Sequence, residues 1–126
     1  MGIMGSAKQF FSKNYETKDH HEVEVLRTKY YKCTPKKAFS ELELYFNKLE
    51  SVRVESISED RGEIGFVFEK GRKRSFIVLT VVGVRPFETA VDFHAYTDTA
   101  FPTDFGYSKK LIELFYKEVD KRLPKK

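Results

Sequence analysis

The feature that most constrains this chain is its last long stretch, residues 104–123. Ile112, Phe115, Val119 and Leu123 recur there at spacings of three and four, with Leu111 and Tyr116 beside them. On a helix these residues form one broad apolar stripe. Lys109, Lys110, Glu113, Lys117, Glu118 and Lys121 fall largely on the other side. Asp104 is the expected N-cap, and Pro124 stops the helix. A stripe this wide has to be covered by another layer, and the middle of the chain reads as a sheet able to do so.

That middle holds four strand-like segments joined by tight turns. Residues 51–58 carry Val52 and Val54 on one face, and Asp60-Arg61-Gly62 turns the chain. Residues 63–69 put Ile64, Phe66 and Phe68 on one face at period two, with Val67 facing away, and Lys70-Gly71 makes a second turn. Residues 75–84 are a continuous apolar run that Arg85-Pro86 breaks. Residues 87–98 alternate again, with Val91, Phe93 and Ala95 facing one way and Asp92, His94, Tyr96 and Asp98 the other. Upstream, residues 22–32 predict a first strand whose parity slips near Leu26, as a bulge or bend would make it. Thr34-Pro35 then opens a helix through Phe39, Leu42, Tyr45 or Phe46, and Leu49, despite Lys36 and Lys37 in its first turn.

The predicted order is β-α-β-β-β-β-α, a curved antiparallel five-stranded sheet with both helices on one face, an α+β fold. This order resembles the TATA-binding-protein-like topology and the larger helix-grip folds of START-type lipid-binding domains. The resemblance covers residues 22 to 123 and is one of element order. No family motif accompanies it, so it implies no functional residue, and such folds host DNA binding, ligand binding and enzyme chemistry alike. Residues 1–20 read as an N-terminal extension and 21–126 as a single domain. Within the extension, residues 7–15 have the pattern of about two helical turns, with Ser6 as cap. Met1 to Ser6 match a short N-myristoylation pattern that arises by chance far more often than by design.

Composition narrows the partners. The 126 residues carry 23 Lys and Arg against 19 Asp and Glu, a net charge of +4 with the signs interspersed. That permits attraction to anions without requiring it. Cys33 is the only cysteine, so no internal disulfide and no cysteine-based zinc site is expected, which fits a cytoplasmic setting. No apolar run reaches the ~18 residues of a membrane span, and the start lacks the apolar core of a secretory signal. No cofactor is expected.

The run from Phe76 to Val84 is the most informative stretch for function. With Phe76, Val78 and Val82 assigned to the helix-covered face, Ile77, Leu79 and Val81 point to the other. Val67 and Tyr96 join them there, and the expected result is an apolar strip bordered by polar groups. The N-terminal Phe10-Phe11 segment, a second subunit making a homodimer, another protein or an apolar small molecule would suit it. Lys70, Arg72, Lys73 and Arg74 form the densest basic cluster, able to grip phosphate or nucleic acid, although a solubilising turn that protects a strand edge is the simpler reading at a net charge of only +4. His94 between Asp92 and Asp98 has the makings of a general base. A solvated sheet face produces the same row, and no nucleophile accompanies it. His20-His21 lacks a spaced third ligand, so no metal site is predicted. Cys33 precedes a helix, which would lower a thiol pKa, but a small apolar filler is the simpler reading. The expected ranking is a non-enzymatic binding module on the second sheet face, then an anion or nucleic-acid binder through residues 70–74, then an enzyme using His94.

Overall fold

The computed structural model describes residues 14–18, 20–21, 24–71, 73–98 and 106–126. Its elements are β1 (Asn14–Glu16), β2 (Lys29–Tyr31), α1 (Pro35–Lys48), β3 (Val52–Ser58), β4 (Glu63–Lys70), β5 (Lys73–Arg85), β6 (Glu88–Asp98) and α2 (Tyr107–Arg122). The named strands pair antiparallel in the order β1-β6-β5-β4-β3. The short β2 shares the outer side of β6 with β1: β1 lies opposite residues 94–96, and β2 opposite 89–91. The fold is therefore α+β, with six strands and two α-helices among the described residues.

Both helices cover one face. Thr34 caps α1, its hydroxyl accepting from the Lys37 N–H at 3.2 Å, with Pro35 at the first helical position. α1 buries Ala38, Phe39, Leu42 and Phe46, while α2 buries Leu111, Ile112, Phe115, Tyr116 and Val119. The centre is an aromatic cluster. The Phe46 ring stacks on Phe66 at 4.6 Å and meets Phe115 at 5.3 Å, while Phe93 meets Tyr116 edge-on at 5.0 Å. Such pairs add about 0.5–1.5 kcal/mol each beyond the area they bury. The Tyr116 hydroxyl donates to the Val91 carbonyl at 2.7 Å, and Tyr31 donates to Asp120 at 2.8 Å. After α2 the tail returns along β2, with Lys32 N–H donating to Pro124 O and Lys126 N–H to Tyr30 O.

Several expectations need correcting. The first strand is not continuous over 22–32: residues Glu24–Leu26 make a turn of 3-10 helix, and among the described residues of this span only Lys29–Tyr31 is a strand. The sheet begins earlier than the expected boundary, because Asn14–Glu16 pairs with β6 and Tyr15 is buried. Tyr15 is thus in a strand rather than at the end of a short helix. Residues 7–13, Phe10, Phe11 and the expected N-cap Asp104 lie outside the described residues. α2 starts instead behind Gly106, at φ 82°, with no side-chain cap bond.

The largest correction concerns β5. Ile77, Leu79 and Val81 are 1%, 0% and 4% exposed and belong to the helix-covered core. Phe76, Val78 and Val82 are 41%, 40% and 47% exposed on the opposite face. The hairpin causes the inversion. Two residues, 71 and 72, separate the paired Lys70 and Lys73, so each even position on β4 lies opposite an odd one on β5: Phe66 faces Ile77, and Ile64 faces Leu79. Shifting a strand's parity by one residue moves every side chain to the other face.

Candidate functional site

The helix-free face is built in rows across β4, β5 and β6. Val67, Phe76 and Tyr96 form one row, and Gly65, Val78 and His94 the next. Together with Glu55 and Ser56 of β3 they line a groove of about 330 Å³. Its floor is Val67, buried to 1%. The Phe76 and Tyr96 rings lie 6.4 Å apart along one wall. Gly65 leaves room for the Ser56 side chain, because a Cβ there would stand 2.5 Å from Ser56 Oγ. The β3 strand shifts register between Val54 and Ser56, which carries Glu55 and Ser56 to the rim. An apolar floor with polar groups at the edge is the arrangement expected of a small-ligand site.

Of the residues singled out from sequence for this strip, Val67 and Tyr96 lie in the groove, whereas Leu79 and Val81 do not. Ile77 touches the groove only from beneath, its side chain belonging to the core. Phe76 and Val78 stand in their place.

In the polar row, Asp92 is hydrogen-bonded within the fold. Asp92 Oδ1 accepts from the Thr17 hydroxyl at 2.7 Å and the Thr28 hydroxyl at 2.6 Å. Thr17 Oγ1 in turn accepts from the Phe93 N–H at 2.8 Å. Asp92 therefore ties the segment before β2 to the sheet. His94 is exposed, two residues along the strand, roughly 7 Å away at ordinary strand rise. Asp98 sits exposed at the end of β6. Among the described residues no group of three His, Cys, Asp or Glu is placed to hold a metal. His21 is buried, and its carbonyl accepts from Arg27 Nε.

At the basic hairpin, Arg74 lies 3.8 Å from Glu69, which also pairs with Arg53 at 3.5 Å. Lys73 sits over the Tyr107 ring at 4.2 Å. Lys70 is exposed, and Arg72 lies outside the described residues. Part of this charge is thus engaged within the fold. Cys33 is buried, and burial pushes its thiol pKa up, against the lowering expected at a helix start.

A second cleft, about 520 Å³, opens where the first turn of α1 stands off the β3–β4 turn. Phe39 and Val81 are apolar in its lining, and Lys36, Arg61, Glu59 and Asp60 supply both charge signs. Sequence reading missed it. Its one signal was Gly83 inside an apolar strand run: a Cβ there would lie 2.9 Å from the Pro35 ring, so glycine lets helix and strand meet.

With this geometry in place, comparison of the chain with family models, curated proteins and solved structures finds no match.

Proposed function

We propose that this chain is a non-enzymatic binding module whose working surface is the helix-free face, taking a small molecule with an apolar body and one polar end. The observation that carries this is the exposure of Phe76 and Val78 at the centre of an interior strand. Leaving Phe76 at 41% exposure keeps roughly 80 Å² of apolar surface in water, which forgoes about 2 kcal/mol. A ligand against Val67, Phe76 and Val78 recovers that energy, with Ser56, His94 and Tyr96 within reach of its polar end. The groove sits at the small end of ordinary ligand pockets. The element order resembling helix-grip lipid-binding domains agrees with this ligand class but assigns no residue. A lone buried cysteine fits a cytoplasmic setting. The anion reading at residues 70–74 has less support, because Glu69 occupies Arg74. The enzyme reading has least, because Asp92 is committed to two threonines.

Native mass spectrometry of the purified protein, followed by titration with an environment-sensitive apolar dye, tests the proposal. The expected result is a monomer with a bound or bindable small molecule, and loss of dye binding in Val78→Lys with the melting temperature kept. A dimer that excludes dye would mean that a second copy occupies the face. Unchanged dye affinity in Val78→Lys refutes the groove as the site.

A further inference from the structure

The opposite end of β5, away from the groove, carries a separate surface. Pro86 and Phe87 form the two-residue turn between the paired Arg85 and Glu88. Phe87 takes a left-handed φ of 58°. With proline at the first corner, this matches a type II turn, whose second corner favours glycine or asparagine. Phe87 is also 71% exposed, the most exposed large apolar side chain among the described residues, and Val82 and Val84 on the strand leading to it are 47% and 46% exposed. An aromatic residue in a strained conformation, pointed at solvent, is locally unfavourable on two counts.

The surroundings of this tip are basic. The Pro35 ring lies against Gly83, which brings exposed Lys36 and Lys37 of α1 to the hairpin. Thr89 donates to the Cys33 carbonyl at 2.7 Å, placing exposed Lys32 beside Glu88. The tail paired with β2 adds Lys125 and Lys126, and Arg85 belongs to the hairpin itself. Glu88 is held by Lys126 at 2.8 Å, and Lys125 pairs with Asp120 at 3.3 Å. Across the cleft, Arg61 stands with Glu59 and Asp60. Lys36 and Lys37 also sit against the dipole preference of a helix start. Two unrelated local penalties, a left-handed phenylalanine and lysines at a helix N-terminus, thus meet at one end of the molecule. Convergent departures from local preference are expected at functional sites.

We propose that this end docks on an anionic lipid surface, with Pro86 and Phe87 entering the headgroup layer and Arg85, Lys32, Lys36 and Lys37 meeting the phosphates. An apolar prong with a cationic collar is the chemistry of interfacial membrane binding. Nucleic acid would use the collar and could stack on Phe87, but it has no use for aliphatic Val82, Val84 and Pro86. A second copy would bring like charges together. This surface is distinct from the groove, and the proposal does not depend on that site's ligand.

The chain contains no tryptophan, so Phe87→Trp introduces a single fluorescent reporter at the tip. The full chain is mixed with vesicles of phosphatidylcholine, with and without phosphatidylserine, at about 0.05 M and 0.5 M salt, where screening differs severalfold. The expected result is a blue shift and co-sedimentation with the serine-containing vesicles only, weakened at high salt. Lys36→Gln and Lys37→Gln should each lower partitioning about fivefold. Phe87→Asp and Phe87→Asn should lower it at least tenfold while keeping the fold by circular dichroism. No blue shift with anionic vesicles at low salt overturns the proposal. So does equal binding to neutral vesicles. Binding that survives Phe87→Asp and is competed by DNA identifies nucleic acid instead, which also overturns it.

Discussion

Leu79 and Val78 are neighbours in sequence, and the structure assigns them opposite jobs. Leu79 is fully buried opposite Ile64 and Phe93, whereas Val78 is 40% exposed on the helix-free face. Leu79→Ala deletes buried carbon from an aromatic core that collapses poorly, so the expected cost is about 3 kcal/mol. For 126 residues the unfolding entropy near the melting point is about 0.26 kcal/mol/K, so the melting temperature should fall by about 11 °C. Val78→Thr keeps the β-branched shape on a half-exposed site and should change stability by no more than about 0.5 kcal/mol, or about 2 °C. Thermal melts read the temperature shifts, and urea melts followed by circular dichroism, with m-values unchanged between variants, read the free energies. The dye binding described above should respond in the reverse order, falling in Val78→Thr rather than in Leu79→Ala below its melting point. If the two substitutions destabilise equally, or Leu79→Ala shifts the melt by only 2–3 °C, the assignment of faces on β5 is wrong, and the proposed groove goes with it.

Three further outcomes follow from named contacts. Burial holds the Tyr31 and Tyr116 phenols protonated well above their ordinary value of 10.0. The folded form therefore keeps protons that the unfolded chain releases. Their contribution is intact below about pH 10 and is lost as pH rises beyond it, by up to about 1.4 kcal/mol per pH unit for each phenol. Tyr116→Phe should remove its share of that slope in melts taken between pH 9 and 11. Asp92→Ala should lose about 2 kcal/mol in urea midpoint stability and expose the segment around Thr17 and Thr28 to limited proteolysis, with Asp92→Asn losing less than half as much. Phe87→Asn should raise the melting temperature by about 2–4 °C by relieving the left-handed strain, even though it removes an aromatic side chain.

Both helices were legible in the chain because their signals are local. The spacing of Phe39, Leu42 and Phe46, and of Ile112, Phe115 and Val119, reports a helix face without reference to anything distant. Thr34-Pro35 marks one start for the same reason. The turns at Gly62, Gly71 and Pro86 were legible too, so the meander and the α+β class could be read directly. The facing of β6 was clear because its apolar and polar residues alternate. For the site, Val67 and Tyr96 could be placed on the helix-free face, since each sits opposite an unambiguous core residue in its own strand.

What escaped was whatever depends on pairing across the chain. β5 is apolar on both sides, so its own residues cannot say which side is covered. That follows from the length of the Gly71 turn, which sets register against β4. β1 is only three residues long, and it forms because β6 offers an open edge to Tyr15. Asp92 reads in the string only as a carboxylate beside His94, and its partners Thr17 and Thr28, 75 and 64 residues away, come to it through packing. The basic collar around Phe87 draws on three separated segments, residues 32–37, the hairpin and the tail, that meet only when Pro35 packs on Gly83 and the tail pairs with β2. Periodicity is a property of neighbours and survives in a linear string. The side a doubly apolar strand presents, and the charges gathered at one end of a domain, are properties of register and packing, and they exist only once the chain has closed on itself.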